Sequence, residues 1–569
     1  MTRPFRILQI SPLFLACCLI PTVFTRAWAA DCTPRYQVTG PVPNQGFGSA
    51  VATIGDVNGD GVPDFAVGAP AKNPGPTQIS PEVYIFSGLD GNFVYKNPGP
   101  VGSEFGSAIA ALGDINGDGV PDFLVGAPES VGPGGGCIFA ISGANGGAIY
   151  DFEGQQAGAQ LGAAIVGVGD VNGDGVPDFA GGAPHASGMQ PDSGAIFIVS
   201  GATGGVLRTI PGEFTGDRFG ASLAFLRVGA QPGPQQSPGL LVGTPGADVA
   251  NASGPLVDAG AVYEIALPIG PPIRILAGNH AGDHFGASVA DLRDIDGDGS
   301  TDFAVGAPNA PVPPGMEGGS VSVYLASGIN PIGHHNFLGM PGDAFGAAVG
   351  GTGDVTGDGV GDILIGGPGD PNAAIPHSGS LSVYSNGSGL PLCRTEGLSG
   401  TAERFGAAVT ELGDLDGDGF PEWIGSAPGF SVGPVAPLGQ VRVFGVAPGP
   451  PPGRPRMIDI DENAAGIQLS WTPGGPACAG FDYAVYAGRY VRMGEGLVTH
   501  LPDTCTTGGA TQISLPVPAV FPTGTALYFI ATAQTQNNEE GSYGQGTLGD
   551  EHPPSSRPCE VFLNTGSCQ

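Results

Sequence analysis

Oxygen-bearing side chains recur in this sequence in a short loop that suits a hard metal ion. The segment GDVNGDGVPDFAVGAP, residues 55–70, places Asp56, Asn58, Asp60 and Asp64 two, two and four positions apart. Oxygen ligands at alternate positions, followed by a carboxylate at the ninth, suit Ca²⁺, which takes six to eight oxygens at about 2.3–2.6 Å. Glycines between the ligands let the loop turn tightly. The loop is therefore a predicted calcium site.

Six copies of the loop follow this pattern, with side-chain ligands expected at positions one, three, five and nine and a backbone carbonyl at position seven. In order, they are Asp56, Asn58, Asp60, Val62, Asp64; Asp114, Asn116, Asp118, Val120, Asp122; Asp170, Asn172, Asp174, Val176, Asp178; Asp294, Asp296, Asp298, Ser300, Asp302; Asp354, Thr356, Asp358, Val360, Asp362; and Asp414, Asp416, Asp418, Phe420, Glu422. Thr356 and Glu422 depart from the common residue types, so their loops are expected to differ in affinity.

Two other interpretations of the loop are less favoured. An EF-hand loop ends in a Glu at position twelve between helices, whereas the last carboxylate here comes at position nine. Asn, Asp and Gly are also ordinary turn residues that bond their own backbone. A single copy would often be only a turn, but six copies at equivalent positions favour metal binding.

The charge of the chain supports a cation and argues against nucleic acid. The formal net charge is −33, and crowded carboxylates repel one another strongly without a counter-ion. Such a chain repels phosphate backbones and anionic membranes. We therefore expect Ca²⁺ at about six sites as structural ions, and no nucleic-acid partner.

An internal repeat positions these loops. A Phe-Gly pair or its equivalent opens each unit at Phe47, Phe105, Leu161, Phe219, Phe285, Phe345 and Phe405, and the six intervals cover 358 residues, a mean of about 60. Each unit reads as four short strands, with the acidic loop between the first two. The fourth unit has no acidic loop. Seven units of four strands predict an all-β fold, a seven-bladed β-propeller.

The ends of the repeat array predict how the ring closes. The seventh unit runs into the Pro-rich segment APGPPPGRP without a fourth strand, whereas RYQVTG near the N-terminus aligns with fourth strands elsewhere. The N-terminal strand is therefore expected to complete the last blade, which covers an exposed sheet edge.

These units resemble FG-GAP repeats, the unit of the integrin α-chain propeller. The residues that carry the resemblance are FGSA, the acidic loop and the following GAP, over roughly residues 31–447. The resemblance implies a calcium site in the same hairpin and a non-catalytic role in adhesion.

The first 30 residues resemble a secretory signal. Two arginines precede an apolar run that ends in a small-x-small pattern, which predicts cleavage near Ala29 or Ala30. A lipoprotein signal at Cys17 is the alternative. No later segment has the roughly 20 apolar residues that a transmembrane helix needs. We expect a secreted, extracellular or cell-surface protein, with the periplasm as a second compartment.

Seven cysteines follow the signal, which suits an oxidising compartment. They are Cys32, Cys137, Cys393, Cys478, Cys505, Cys559 and Cys568. Candidate disulfides join Cys478 to Cys505 and Cys559 to Cys568, and the odd count leaves one thiol free or bound to another molecule.

The repeat ends before the C-terminal region. The expected divisions are a signal at 1–30, the propeller at 31–447, a Pro-rich linker at 448–456, a β-sandwich at 457–552 and a Cys-containing tail at 553–569. Short alternating strands suggest the small β-sandwich. It resembles a fibronectin type III domain, with Trp471 on its second strand and Tyr528 on its sixth.

No pattern in the sequence indicates a catalytic centre. His280 and His284 have a four-residue spacing but lie where other units have a turn, and GFSVG at 429–433 lies in a loop rather than in a strand–turn–helix elbow. We expect no enzyme, and a hydrolase is the most remote alternative. The expected function is adhesion to a protein or glycan at a cell surface or in matrix, with a lectin-like, carbohydrate-binding propeller as the second interpretation.

Overall fold

The computed structural model describes the propeller region and the backbone of several C-terminal strands. The described residues are 32, 34–72, 79–130, 134–226, 238–251, 254–267, 270, 272–312, 316–326, 332–369, 378–398, 402–432 and 436–445, together with C-terminal strands within 458–534. No helix occurs among them, so none of these residues forms a helix that could span a bilayer.

Seven antiparallel four-stranded sheets form the blades of a β-propeller, as predicted. The chain begins with β1 (Pro34–Thr39). Blades one to three are β2 (Ala50–Gly55), β3 (Asp64–Ala69), β4 (Glu82–Phe86), β5 (Phe93–Pro98); β6 (Ala108–Gly113), β7 (Asp122–Ala127), β8 (Cys137–Ile141), β9 (Ala148–Glu153); and β10 (Ala164–Gly169), β11 (Asp178–Ala183), β12 (Ala195–Val199), β13 (Val206–Pro211).

Blades four and five carry an additional short hairpin between their second and third strands. Blade four is β14 (Ser222–Leu226), β15 (Gly239–Thr244), β18 (Ala261–Ala266) and β19 (Pro272–Ala277), with hairpin β16 (Val249–Asn251) and β17 (Gly254–Leu256). Blade five is β20 (Ser288–Arg293), β21 (Asp302–Ala307), β24 (Ser320–Leu325) and β25 (Ile332–Leu338), with hairpin β22 (Pro311–Val312) and β23 (Met316–Glu317).

The N-terminal strand closes the ring. Blade six is β26 (Ala348–Gly353), β27 (Asp362–Gly367), β28 (Ser380–Tyr384), β29 (Pro391–Glu396), and blade seven is β30 (Val409–Gly413), β31 (Glu422–Ala427), β32 (Gln440–Phe444) with β1. β1 pairs antiparallel with β32, Tyr36 opposite Val443 and Thr39 opposite Gln440. The predicted closure is confirmed.

The core lies between the blades. The first strands of successive blades contact one another and line the centre of the ring. Seven clusters of buried apolar side chains are each shared by two adjacent blades. Phe47, Phe345 and Phe405 of the repeat are fully buried in them, and Trp423 in the cluster between blades six and seven is 2% exposed.

Glycines of the repeat allow the blades to approach closely. Gly106, with φ +91°, donates its N–H to the Gly126 carbonyl 3.0 Å away in the same blade. A Cβ on Gly68 of the preceding blade would lie 2.0 Å from the Gly106 carbonyl oxygen. The two glycines of FG and GAP are therefore both needed at the same inter-blade contact.

A disulfide ties the closing strand to blade six. Cys32 is bonded to Cys393, with their Cα atoms 5.7 Å apart. Cys137 is buried and is the free thiol among the described cysteines. The pairs proposed from sequence, Cys478–Cys505 and Cys559–Cys568, lie outside the described residues, as does the signal segment.

The C-terminal strands form two three-stranded antiparallel sheets. One contains β33 (Ile458–Asn463), β34 (Gly466–Trp471) and β37 (Gln512–Leu515), and the other contains β35 (Asp482–Val491), β36 (Thr499–Thr504) and β38 (Thr525–Gln534). Trp471 falls on the second strand of this region and Tyr528 on the sixth. The β-sandwich and its fibronectin type III resemblance stay predictions.

Candidate metal centre

Each acidic loop joins the first strand of a blade to its second strand. Because this connection is the same in every blade, the six loops lie on one face of the ring, here called the loop face. A bulge ends the first strand, where Gly55 pairs with Asp64 in blade one. The fourth blade has strands β14 and β15 at this place, and the residues between them, 227–237, lie outside the described chain.

The first aspartate organises the turn of each loop. In blade one, Asp56 Oδ1 accepts the N–H groups of Gly59 (2.7 Å) and Asp60 (3.2 Å), and Oδ2 accepts that of Gly61 (2.8 Å). The same three bonds recur at Asp114, Asp170, Asp294, Asp354 and Asp414. Gly59 and Gly61 have φ of +80° and +87°, which explains the glycines of the motif.

The ninth residue is a buried carboxylate in every loop. Asp64 has no exposed surface; its Oδ2 accepts the N–H of Val57 (2.9 Å) and its Oδ1 that of Gly88 (3.2 Å). Burial raises the pKa of Asp64 to about 6 and that of Asp362 to about 7. Such a carboxylate is costly to ionise without a nearby cation.

The third and fifth side chains bond mainly within their own loop. Asn58 Oδ1 accepts the N–H of Asp60 (2.9 Å), and Asp60 Oδ1 accepts that of Val62 (2.9 Å). Loops are numbered here by their blade, so that the fourth number is unused. In the sixth loop, the Thr356 hydroxyl donates to Asp354 Oδ1 (3.1 Å). This contact directs the Thr356 hydroxyl to Asp354, another predicted ligand of the same loop. Thr356 thus differs from the Asn and Asp side chains at this position in the other loops.

The carboxylates converge most closely in the fifth and seventh loops. Oxygens of Asp294, Asp296 and Asp302, and likewise of Asp414, Asp416 and Glu422, all lie within 4.8 Å of one another. Among the described residues, the loops of blades one, two, three and six bring no three carboxylates so close together. Those four loops each hold three carboxylates, and side-chain rotation would have to complete a site.

The donor chemistry fits a hard divalent cation. All the side-chain donors of the pattern are oxygens of carboxylate, amide or hydroxyl groups, which suit Ca²⁺ or Mg²⁺ and not a soft metal. Among the described ion pairs, only those of Arg35 reach a loop carboxylate. Among the described residues, no basic side chain pairs with the carboxylates of the other five loops.

Serines after the third strands and Arg35 also bond the loop carboxylates, and the sequence analysis did not identify them. Ser87, after the third strand of blade one, donates its hydroxyl to Asp60 Oδ2 (3.1 Å), and Ser142 donates to Asp118 Oδ2 (3.4 Å). The Ser-Gly pair that follows the third strand of blades one, two and three was a usable signal. Arg35 bonds both Asp416 and Glu422 at 2.7 Å, and no repeat in the sequence points to it.

The histidines and the GFSVG serine have local partners. His280 Nδ1 lies 3.3 Å from Asp283 Oδ2, and His284 Nδ1 lies 2.9 Å from Asn309 Nδ2. The Ser431 hydroxyl donates to the Gly429 carbonyl at 3.3 Å. These contacts do not join a serine to a histidine.

Comparisons with known proteins agree with the repeat. The profile of the FG-GAP-like repeat matches residues 56–125, and that of the FG-GAP repeat matches residues 105–150, 162–199 and 285–324. The chain is 32% identical to integrin α-7 of Homo sapiens over 160 residues, which is 26% of this chain and 13% of that protein. It is 30% identical to integrin α-V of Gallus gallus over 221 residues, 36% of this chain and 20% of that protein.

A third relative, integrin α-3 of Cricetulus griseus, is 42% identical over 87 residues, 14% of this chain and 8% of that protein. The matched part of this chain thus spans a fifth or less of each of these relatives. The FG-GAP repeats and the resemblance to integrin α chains are confirmed for the propeller.

Proposed function

We propose that this protein is an exported, calcium-binding propeller that acts as a non-catalytic adhesion or protein-interaction module. The observation that carries the proposal is the ring of six alike acidic loops on one face of an integrin-α-like, seven-bladed fold. Acidic loops at successive blades brace a scaffold rather than build one catalytic pocket. The opposite face is then free for a partner.

Calcium serves as a structural ion in this proposal. The ligands are the residues at positions one, three, five, seven and nine of the acidic loops, and the buried ninth carboxylate benefits most from a cation. Extracellular calcium modules commonly bind with Kd values of about 10⁻⁴–10⁻³ M. Such sites are filled outside cells, in keeping with export after cleavage of the signal.

In this proposal the partner binds the face opposite the loop face. This opposite face carries the connections from second to third strands and from each blade to the next. Large exposed apolar side chains concentrate there: Val101, Met189, Phe214, Val257, Met316, Met340, Leu398 and Val432. Apolar side chains on the rigid ring suit a protein partner.

A glycan partner is the second candidate, but the described part of the ring exposes few aromatic side chains to bind one. Sugar rings stack on exposed aromatic faces, and Trp423, the tryptophan of the ring, is buried. Phe214 is 60% exposed on the opposite face and is the aromatic side chain best placed there for such stacking.

Matched surface variants test the proposal. The triple variant Met189→Ser, Phe214→Ser, Val257→Ser alters the opposite face, and the control Leu89→Ser, Phe93→Ser, Leu390→Ser alters exposed side chains near the loop face. Fluorescent protein is applied to intact cells of the source organism and to a glycan array, with calcium and with chelator. We expect cell binding that needs calcium and is lost in the first variant only.

Two results count against this proposal. Equal binding by the two variants would show that the partner does not bind the opposite face. Binding to the glycan array that the first variant loses, together with cell binding that survives protease treatment, would replace the protein partner with a glycan.

A further inference from the structure

The seventh loop differs from the others because a basic side chain already lies in it. Arg35 Nη1 is 2.7 Å from Asp416 Oδ2 and 2.7 Å from Glu422 Oε1. Glu422 is buried, and the Arg35 side chain is 31% exposed. Among the described residues, no other loop has such a guanidinium.

This nitrogen takes up the place that a calcium ion would need. An ion bridging the same two oxygens would lie about 2.3–2.6 Å from each. Arg35 Nη1 lies nearly as close to both, so the ion and the guanidinium cannot occupy the site together. Their charges have the same sign, which further disfavours joint occupancy.

In blade seven, the strand that closes the ring gives the ninth residue a side-chain donor. In blades one, two, three, five and six, an oxygen of the ninth residue accepts an N–H just after the third strand: Gly88, Gly143, Gly201, Ala326 and Asn386. In blade seven the equivalent residue, 446, lies outside the described chain, and Glu422 Oε1 accepts from the Arg35 guanidinium. Glu422 Oε2 keeps the usual bond, from the Leu415 N–H at 2.7 Å.

Local geometry directs Arg35 into the loop. Arg35 lies at a bulge of β1 where the pairing with β32 shifts register. A Cβ on Gly445 would lie 2.6 Å from Glu422 Oε1 and 3.0 Å from Arg35 Cδ, so glycine leaves room for the side chain. The residues at the same bulge of other blades include Val94, Ile149, Leu207 and Leu392, which are apolar.

We propose that Arg35 is the resident cation of the seventh loop, so that this loop fastens the N-terminal strand into the ring and does not take up calcium. The proposal rests on calcium binding at the other five loops, as proposed above. It reduces the expected number of loop ions from six to five. Calcium binding to the seventh loop and docking of Arg35 in it exclude each other.

The fifth loop provides a matched comparison within the same molecule. It has four carboxylates like the seventh, Asp294, Asp296, Asp298 and Asp302, and no described ion pair reaches them. The adjacent Arg293 pairs with Glu411 at 3.1 Å instead. Asp294 and Asp414 accept the same three backbone N–H groups, so their replacement perturbs the two turns alike.

The experiment counts calcium ions bound to the full chain by equilibrium dialysis at saturating calcium. We expect Asp294→Ala to bind one ion fewer than the wild type and Asp414→Ala to bind the same number. Arg35→Gln should bind one ion more, and Arg35→Gln with Asp414→Ala should return to the wild-type number. Arg293→Gln, which removes the same charge elsewhere, should leave the number unchanged.

Several outcomes overturn this proposal. If Asp414→Ala loses an ion as Asp294→Ala does, or if Arg35→Gln gains none while its near-ultraviolet circular dichroism matches the wild type, calcium and not Arg35 occupies the seventh loop. Should Arg35→Gln fail to fold, the ion counts of the Asp294 and Asp414 variants still show whether the seventh loop binds calcium. If the wild type binds no calcium, the proposed function fails as well, which is a different result.

Discussion

Asp217 of the fourth blade is a buried carboxylate that has no partner in the described part of the chain. It lies two residues before the Phe of its repeat and is 6% exposed, and among the described residues nothing bonds its carboxylate. Residues at the same position elsewhere have partners: Gln45 accepts from Tyr84, Asp283 from His280, Asp343 from Arg394 and Glu403 from Arg442. Burial first, then the charges of Asp248 and Glu213, raise the pKa of Asp217 from 3.8 to about 6.

Replacing Asp217 by Asn should stabilise the protein at neutral pH. Because the folded-state pKa is raised, the folded protein binds this proton more tightly, and the free energy of unfolding falls as pH rises from 3.8 to about 6. Asp217→Asn removes that fall. We therefore expect the free energy of unfolding of the variant to exceed that of the wild type by about 1–2 kcal/mol at pH 7 and to equal it below pH 4. Urea unfolding at both pH values measures it.

A control separates this effect from a general loss of negative charge. Glu129→Gln removes one exposed carboxylate of the opposite face and should leave stability within about 0.5 kcal/mol at both pH values. A destabilised Asp217→Asn at pH 7 would show that the carboxylate has a partner in solution.

The turn of the acidic loops was predictable from the sequence because its chemistry is local, whereas metal binding by these residues stays a prediction. Asp56 to Asp64 form one turn, so type and spacing are enough to place them. Arg35 was missed because its partners Asp416 and Glu422 lie 381 and 387 residues away. Only the pairing of β1 with β32 brings these residues together.

At the scale of strands, adjacent blades are joined by side chains of their outer strands. Tyr36, Tyr95 and Tyr150 donate their hydroxyls to the carbonyls of Gly88, Gly143 and Gly201 in the next blade, at 2.6, 2.8 and 2.9 Å. His335 Nε2 lies 2.9 Å from the Asn386 carbonyl oxygen between blades five and six. Between blades six and seven, Cys393 at the corresponding position forms the disulfide.

The strands were predictable from repeated turn signals, but these joints were not. Tyr95 and Gly143 belong to different repeats, and only the stacking of blades shows that their positions meet. The same limit explains the disulfide: Cys32 and Cys393 were left unassigned in the sequence, whereas neighbouring C-terminal cysteines were paired.

A single methyl group at a blade boundary should be costly. Gly68→Ala places a Cβ 2.0 Å from the Gly106 carbonyl oxygen, and the rigid backbone on both sides cannot move apart without disturbing the core. We expect a loss of about 3 kcal/mol or more in the free energy of unfolding, measured by urea denaturation.

Gly333 supplies the matched control in another strand. A Cβ there meets nothing within 4 Å, so Gly333→Ala should change stability by less than about 0.5 kcal/mol. Similar losses for the two variants would mean that the strands suffer from alanine in general and that inter-blade contact is not the cause.

At the scale of the whole molecule, ring closure depends on one strand that meets its partner across most of the chain. The Cys32–Cys393 bond spans 361 residues and ties the start of β1, which pairs with β32, to β29 of blade six. Replacing both cysteines by Ala should lower the free energy of unfolding by about 2–4 kcal/mol, since the crosslink restricts the unfolded chain. Hydrogen exchange should quicken first in β1.

The buried thiol Cys137 provides the comparison for this change. Cys137→Ala removes a cysteine from the same ring without touching closure. It should leave exchange in β1 as in the wild type. Unaltered exchange of β1 in the double variant would mean that strand pairing and Arg35 suffice for closure.

Removing calcium should weaken the entire ring because charge is distributed around one face of it. The chain has a net charge of −33, and in the part of the chain that the structure describes no basic side chain pairs with the carboxylates of five loops. If each binds with a Kd of about 10⁻³ M, about 10 mM calcium adds about 1.4 kcal/mol per site, or about 7 kcal/mol in all. Urea unfolding with calcium and with chelator measures the difference.

Salt distinguishes the electrostatic cause from a general effect of ions. Raising ionic strength shortens the screening length from about 10 Å at 0.1 M to 3 Å at 1 M. Sodium chloride should therefore recover part of the stability lost in chelator, because it screens carboxylate repulsion, but it should add little when calcium is bound. Identical unfolding curves with calcium and with chelator at low salt would contradict calcium bracing, and the acidic loops would then be turns held by their own backbone hydrogen bonds.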